Sequence, residues 1–228
     1  MIFTFWEGNT MPAYLQLCRR TWLFPYISLT YETVNDYTDL VIDEKLKRFT
    51  FPQIADCVRV HVLRDNGGYW LDADTIMLTD KLPEENMVGD YNTKMNTIGF
   101  LHTEEHSQMY EWWAIFQDSV IKRQDTPKQW NVMGNAFTDK YLKEHPEITI
   151  KNVADYWPET YMIDSNISRY EKYRKFYFEE DYHLKDIHDT TMLMLHNSWT
   201  PDWYKALSEK EVLQQSCTMS NILREVLQ

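Results

Sequence analysis

The chain has 228 residues, and 35 acidic against 23 basic side chains give it a formal net charge of −12. An acidic protein repels a phosphate backbone, so a nucleic-acid partner is not expected. The three cysteines are an odd number without paired spacing, which argues against a disulfide framework or a zinc site. The length fits one domain, and we expect a single domain over residues 1–228.

The start of the chain predicts a strand, a helix and a second strand. The apolar run Ile2–Phe5 is typical of a buried strand. Thr10 can cap a helix that has Pro12 in its first turn, and residues 27–31 predict the second strand. This order is typical of a parallel α/β sheet.

The rest of the chain continues to alternate strands and helices. A helix begins at Pro52 and is ended by Gly67-Gly68, since glycine readily takes the conformation that closes a helix. Strands are predicted over residues 69–71, 76–78, 97–101 and 193–195, and helices over 104–122, 137–143 and 208–227. The periodicity of the helix over 104–122 passes through Trp112.

An Asp-x-Asp pair, Asp72 and Asp74, follows the predicted strand over residues 69–71. In an extended chain, residues two apart point to the same side, so both carboxylates would face one point. Two such carboxylates repel each other unless a cation lies between them, and oxygen ligands suit Mg²⁺ or Mn²⁺. Ligands of α/β sheets bind beyond the carboxyl ends of the strands, where this pair is expected. Two solvated turn aspartates are the plainer interpretation.

The helix before the pair carries Asp56 and Arg59, which share a face because they are three residues apart. A guanidinium beside a carboxylate can hold sugar hydroxyls and diphosphate through directional hydrogen bonds. The alternative is an exposed ion pair without function. Gly67 and Gly68 would also let the backbone approach a ligand closely.

These residues resemble the signature of the glycosyltransferases with a DXD-containing sugar-binding region. That family includes bacterial capsular and lipopolysaccharide transferases, yeast-type α-1,6-mannosyltransferases and vertebrate α-1,4-galactosyltransferases. The matching residues are Ala55, Asp56, Arg59, Leu63, Gly67, Gly68, Tyr69, Trp70, Leu71, Asp72 and Asp74, without a gap. The one departure is Trp70, where the family usually has Tyr.

The resemblance implies a GT-A fold, a Rossmann-like mixed sheet flanked by helices, with a small helical C-terminal part. It also implies Mn²⁺ or Mg²⁺ held by Asp72 and Asp74, with His196 as a third ligand. Asp56 and Arg59 would hold the donor sugar and, with Asp74, form the catalytic set.

Flanking segments extend the resemblance more loosely. Phe5 and Trp6 resemble the first strand and loop that meet the nucleotide base in capsular transferases. Ser198 and Trp199 resemble a C-terminal segment that closes over the diphosphate. Gly68 is included among the residues expected to contact the nucleotide sugar.

The function implied is a metal-dependent, retaining transfer of a hexose from a nucleotide diphosphate sugar to a saccharide or lipid-linked oligosaccharide. UDP-galactose and UDP-glucose are the preferred donors, and capsular or surface polysaccharide synthesis is the expected process. A non-catalytic module that binds a nucleotide sugar or a partner is the main alternative. A dehalogenase-type phosphatase and a nucleotidyltransferase fit less well, because Thr75 follows Asp74 directly and no Gly-rich basic loop follows the first strand.

No signal-like segment and no apolar stretch of spanning length is visible, so we expect a cytoplasmic protein that works there or at the inner face of the membrane. The run from Tyr170 to Phe178 places Lys172, Arg174 and Lys175 among aromatic rings. Such a patch can contact an anionic membrane surface. A solvated helix face with packed rings is the interpretation that we prefer.

Overall fold

A computed structural model of the chain describes residues 1–8, 10–90, 96–123, 129–154, 167–187 and 190–228. Its strands are β1 Ile2–Phe5, β2 Tyr26–Leu29, β3 Gly68–Leu71, β4 Thr75–Met77, β5 Met87–Asp90, β6 Asn96–Thr103, β7 Ile150–Ala154 and β8 Met192–Met194. Its helices are α1 Ala13–Arg20, α2 Glu44–Lys47, α3 Phe51–Asn66, α4 Gln108–Ile121, α5 Asn135–Glu144, α6 Arg169–Phe178, α7 Asp202–Lys205, α8 Glu209–Gln214 and α9 Thr218–Val226.

The strands form one mixed sheet in the order β2-β1-β3-β6-β5-β7-β8-β4. Strands β2, β1 and β3 are parallel, β6 runs antiparallel to both β3 and β5, and β5, β7 and β8 are again parallel. Strand β4 runs antiparallel to β8 at the far edge. The carboxyl ends of β1, β3, β5, β7 and β8 therefore lie along one edge of the sheet.

Helices pack on the sheet because alternate strand residues face opposite sides. Phe3 and Trp70 pack with the apolar residues of α3 and α4, whereas Ile2 and Leu71 pack with Trp22, which follows α1. The α/β class and the mixed sheet flanked by helices are confirmed. Within the described part of the chain, no helix is long and apolar enough to cross a bilayer.

Helix α3 begins and ends as its sequence predicts. Thr50 and Gln53 form a capping box at its start, which satisfies amide groups that have no partner in the first turn. Gly67 ends it with a φ of 59°, a left-handed conformation in which a Cβ would lie 2.5 Å from the Glu105 amide nitrogen.

Three local predictions need correction. The residue at the start of α1 is Pro12 rather than Thr10, and it forms no side-chain cap. Trp112 lies on the outer face of α4 and is exposed, because the buried stripe instead runs through residues such as Tyr110 and Trp113. The helix predicted over 208–227 is two helices, and Arg224 donates to the Gln215 carbonyl at the break between them.

Candidate active site

The carboxyl edge of the sheet gathers the residues that the sequence singled out. Trp6 follows β1, Asp72 follows β3 and His196 follows β8 by two residues. Beyond the carboxyl ends of strands, backbone groups and side chains are free to meet a ligand, since no further strand hydrogen bonds occupy them. The predicted metal and nucleotide residues are therefore brought to one edge, with the exception of Gly68.

The Asp-x-Asp pair lies in a tight turn rather than on an extended strand. The Thr75 amide donates to the Asp72 carbonyl at 3.1 Å, which closes a four-residue turn between β3 and β4. The expectation that strand alternation aligns the two carboxylates is therefore corrected. Asp72 is directed to α3, and Asp74 is directed to the segment after β8.

Arg59 joins two carboxylates below this turn. Its guanidinium lies 3.2 Å from the Asp56 carboxylate and 3.1 Å from that of Asp72, and it also donates to the Ile98 carbonyl. Arg59 is only 4% exposed. The pair on α3 is therefore a buried ion pair and not a solvated one. Because these contacts engage both terminal nitrogens, Arg59 is placed to position Asp72.

Trp70 supports the same network from β3. Its indole N–H donates to the Asp72 carboxylate at 2.8 Å, and the Arg59 guanidinium lies 5.3 Å from the centre of its ring. The residue at which the sequence departs from the family pattern therefore donates a hydrogen bond to Asp72.

The Asp56 side chain is buried and closely packed. Burial raises the pKa of its carboxyl to about 7, although Arg59 acts in the opposite direction. Gly134 lies against it, since a Cβ at Gly134 would be 2.7 Å from an Asp56 carboxylate oxygen. One guanidinium thus serves two carboxylates, and burial favours the protonated form of Asp56.

Asp74 is bound by the segment that follows β8. Its carboxylate accepts the Asn197 amide at 2.9 Å, and its carbonyl accepts the Leu195 amide at 3.1 Å. Burial, followed by the charge of Asp72, raises the pKa of Asp74 to about 7. The effect of Asp72 is the repulsion that neighbouring carboxylates exert when no cation separates them.

His196 lies between these two contacts of Asp74. Its ring packs between Tyr173 and Trp199, and its amide donates to the Tyr173 hydroxyl at 3.1 Å. Burial, followed by the charge of Arg169, lowers the pKa of His196 to about 4, so the ring is neutral at pH 7. Its Nε2 is buried and has no hydrogen-bond partner among the described residues, which is an unusual state for such an atom.

The three predicted metal ligands do not form a finished centre. Within the described ranges, no three His, Cys, Asp or Glu side chains lie close enough together to hold a metal ion. The set of Asp72, Asp74 and His196 as metal ligands therefore stays a prediction. The two aspartates are neighbours, and His196 lies next to residues that bind Asp74 without joining the carboxylates.

Of the two residues expected to meet the nucleotide base, Phe5 and Trp6, only Trp6 is placed where it can do so. Phe5 is buried, and its ring stacks on Phe51 at 5.5 Å, so it has no free face for a base. Phe51 is 39% exposed, and the half-buried Tyr31 contacts the Phe5 ring at 5.7 Å. Sequence reasoning missed Tyr31 and Phe51, because they lie far apart in the sequence and each contacts Phe5 only in the fold. Trp6 is half-buried at the end of β1.

Gly68 lies at the opposite end of β3 from the acidic turn. Its φ is 86°, and a Cβ there would be 2.5 Å from the Met1 carbonyl oxygen. Its predicted contact with the nucleotide sugar is not supported by this position. Glycine is required here because the first residue of the chain crosses directly over it.

The turn from His196 to Thr200 carries the last predicted residues. The Trp199 amide donates to the His196 carbonyl at 2.8 Å, which leaves Ser198 exposed at the tip. The first turn of α6 packs against this segment, since the Tyr170 ring lies 6.1 Å from that of Trp199. Arg169 is the exposed cation of this turn, and sequence reasoning missed it as a site residue.

The rest of α6 carries the basic and aromatic run. Tyr173, Phe176, Tyr177 and Phe178 are buried, so these rings are packed as we preferred. Of the three cations in the run, Lys175 is exposed and Lys172 and Arg174 are half-buried. Whether they contact a membrane stays a hypothesis.

The mixed α/β sheet thus carries an Asp-x-Asp turn, a buried arginine and a neutral histidine at or beside its carboxyl edge. The chain belongs to the family described as capsular polysaccharide synthesis protein, whose profile matches residues 2–222. Membership confirms the prediction of a capsular-type glycosyltransferase. A solved structure described as PaToxG glycosyltransferase is similar at 15% identity, covering 64% of this chain and 68% of that one, with a TM-score of 0.45. No curated protein matches the sequence.

Proposed function

We propose that this protein is a metal-dependent, retaining glycosyltransferase that takes a hexose from a nucleotide diphosphate sugar. UDP-galactose and UDP-glucose are the first donors to test, and the acceptor is a saccharide, free or lipid-linked, of a capsular or surface polysaccharide. The acidic turn carries the proposal. Asp72 and Asp74 lie in the same tight turn at the carboxyl edge, and burial, followed by the charge of Asp72, raises the pKa of Asp74. A bound cation would relieve the repulsion between the two carboxylates.

Mn²⁺ or Mg²⁺ fits this turn. Such ions are commonly held by one or two carboxylates together with substrate phosphates, so a complete protein cage is not needed. Asp74 and Asp72 would hold the ion, and the unpartnered Nε2 of His196 is a further donor nearby. When bound, the ion would stabilise the charge that develops on the leaving diphosphate.

The protein's own groups would complete the donor site. Ser198 is exposed at the tip of the His196 turn and Arg169 is exposed on the first turn of α6, so both would reach the diphosphate. Trp199 would cover it and exclude water, which limits hydrolysis of the donor. Asp56 would accept a sugar hydroxyl, while Arg59 keeps Asp72 in place.

Retention of the anomeric configuration allows two routes. In the first, the acceptor attacks the face from which the diphosphate leaves. In the second, a carboxylate or amide forms a covalent intermediate. The half-buried Tyr31 and the exposed Phe51 contact Phe5 at the end of β1, where a nucleotide base would stack. We place the reaction in the cytoplasm, at the inner face of the membrane if the acceptor is lipid-linked.

The test is nucleotide release from a panel of UDP- and GDP-sugars, with Mn²⁺ and with EDTA. Asp74→Asn is the matched variant, because an amide keeps the size of the side chain and its acceptance of the Asn197 amide. We expect slow release from one donor that depends on the metal and is lost in the variant. A folded native protein that neither binds nor cleaves any donor would instead support the non-catalytic module.

A further inference from the structure

Trp130 is the most exposed of the large apolar side chains in the described ranges. It is 75% exposed, compared with 51% for Trp112 and 48% for Trp203. An open indole forgoes the stabilisation that burying a ring of this size provides. A single exposed ring is common on protein surfaces and needs no explanation by itself. The loop that carries Trp130, however, is held in place by buried side chains, and this does need an explanation.

Three buried side chains hold this loop in place. Gln53 donates to the Gln129 carbonyl at 3.1 Å, and Trp113 and Gln117 both donate to the Met133 carbonyl, at 2.9 Å and 2.6 Å. All three donors are at most 2% exposed. The carbonyls on both sides of Trp130 are therefore fixed from the core, so the indole is presented from an anchored backbone.

The anchored loop ends against the candidate active site. Gly134 touches the Asp56 carboxylate, which a Cβ there would approach to 2.7 Å. Trp130 and Gly134 are four positions apart in the sequence, and an extended chain of that length spans about 14 Å at most. Turn hydrogen bonds from Val132 to Gln129 and from Gly134 to Asn131 shorten that span. The indole thus lies within the length of a short oligosaccharide from Asp56.

The chemistry around the ring is that of a sugar-binding surface. A pyranose has an apolar face of C–H groups and a rim of hydroxyls. The indole offers a flat apolar face, and the neighbouring amide side chains Gln129 and Asn131 can both donate and accept hydrogen bonds. Neither neighbour is charged, which fits a neutral sugar better than a phosphate or an acidic peptide.

We propose that Trp130, with Gln129 and Asn131 at its edges, is the platform on which a sugar unit of the saccharide acceptor stacks. This inference rests on the proposed function, since it assigns the acceptor side of that site. Asp56 then marks the boundary between donor and acceptor, and the loop over residues 129–134 joins the two.

The test uses the full chain without any donor, so it does not depend on turnover. Methyl glycosides of glucose, galactose, mannose and N-acetylglucosamine are titrated while the tryptophan indole N–H signals are followed by NMR. Trp130→Phe assigns the signal of Trp130. We expect at least one glycoside to shift that signal in a saturable way and to leave the signals of Trp112 and Trp203 unchanged.

Saturation transfer from protein to glycoside gives a second reading. The transfer signal should fall about tenfold in Trp130→Ala, because the variant loses roughly one ring contact with the sugar. The signal should persist in the matched variant Trp112→Ala. The proposal is overturned if no glycoside moves the Trp130 signal, if all exposed indoles move alike, or if Trp130→Ala keeps full transfer. A native protein that releases no nucleotide from any donor contradicts only the proposed function, which is read in a separate assay.

Discussion

On one side of the acidic turn, the buried Asp56 and Arg59 and the half-buried Asp72 form a charge network in which both carboxylates are paired with the guanidinium. On the other side, Asp74 and His196 are half-buried, and the His196 Nε2 has no partner within the described ranges. The first side comes from a single contiguous motif. The second joins the motif to a segment 123 residues away.

The difference separates two tasks. A network with its partners in place holds its geometry at all times, so it suits positioning. Groups that keep an uncommitted lone pair suit a ligand that arrives later, because binding then replaces no existing contact. Changes on the first side should therefore affect stability first, and changes on the second side should affect ligand binding first.

The largest effect is expected for Arg59→Met. The change leaves two carboxylates without their cation, and breaking a buried pair in this way costs about 3–5 kcal/mol of the free energy of unfolding. Chemical denaturation measures it. The matched control is Arg20→Ala, which removes an exposed ion pair with Glu209 at 2.9 Å and should cost about 1 kcal/mol or less. Equal losses in the two variants would contradict a special role for the network.

Asp74→Asn should lower metal-dependent nucleotide release by about 10²–10³-fold, the usual effect of removing one electrostatic group from a catalytic site. Its stability should change little, since the amide still accepts the Asn197 N–H. Steady-state release and a thermal melt are measured on the same sample. A loss of stability as large as that of Arg59→Met would place Asp74 on the structural side instead.

His196→Ala tests the weaker member of the second side. Because no three-ligand centre exists in advance among the described residues, we expect a smaller effect than for Asp74, with Mn²⁺ affinity falling about tenfold in the presence of a nucleoside diphosphate. Titration calorimetry measures the affinity. Affinity equal to that of the native protein would show that His196 acts only through packing against Tyr173 and Trp199.

Trp70→Phe removes the indole donor to Asp72 and keeps most of the ring beneath Arg59. The expected cost is about 1 kcal/mol of stability, the typical net value of one hydrogen bond, with a modest fall in turnover. Trp70→Tyr restores the residue usual in the family. If it proves as stable and active as the native protein, the indole hydrogen bond contributes nothing.

The smallest effect is expected in how the free energy of unfolding of the Asp56 side of the turn depends on pH. Burial raises the pKa of Asp56 to about 7 from the usual 3.8. A carboxyl with a raised folded-state pKa stabilises the fold below its ordinary value, and that contribution is lost as the pH rises through about 7. Relative to Asp56→Asn, the native protein should lose stability between these values. Denaturation curves at several pH values give the difference, and a flat difference would mean that Asp56 ionises normally.

The sequence predicted best what lies close together along the chain. The α3 helix, its glycine end and the Asp-x-Asp pair all follow from local periodicity, capping and turn chemistry. The pairing of Asp56 with Arg59 follows from their spacing, but its burial does not. Burial depends on α4 packing over α3, and no local pattern encodes that contact.

What the sequence did not predict comes from distant contacts. Strands β5 and β7 are short, and they pair with each other from distant parts of the chain. Arg169 and Asn197 come close to His196 and Asp74 only because α6 and the segment after β8 pack together. The rings of Tyr31 and Phe51 likewise contact Phe5 only in the folded chain.

The short turn from Asp72 to Thr75 has a mechanical consequence. Asp72 directly follows β3 in the interior of the sheet, and Asp74 leads into β4, which pairs with β8 at the far edge. The distance between the two carboxylates therefore depends on the position of β3 relative to β4 and β8. A ligand that binds both aspartates links these two parts of the sheet and stabilises the closed state of each. Its binding should therefore slow amide hydrogen exchange in β8 as well as at the turn itself.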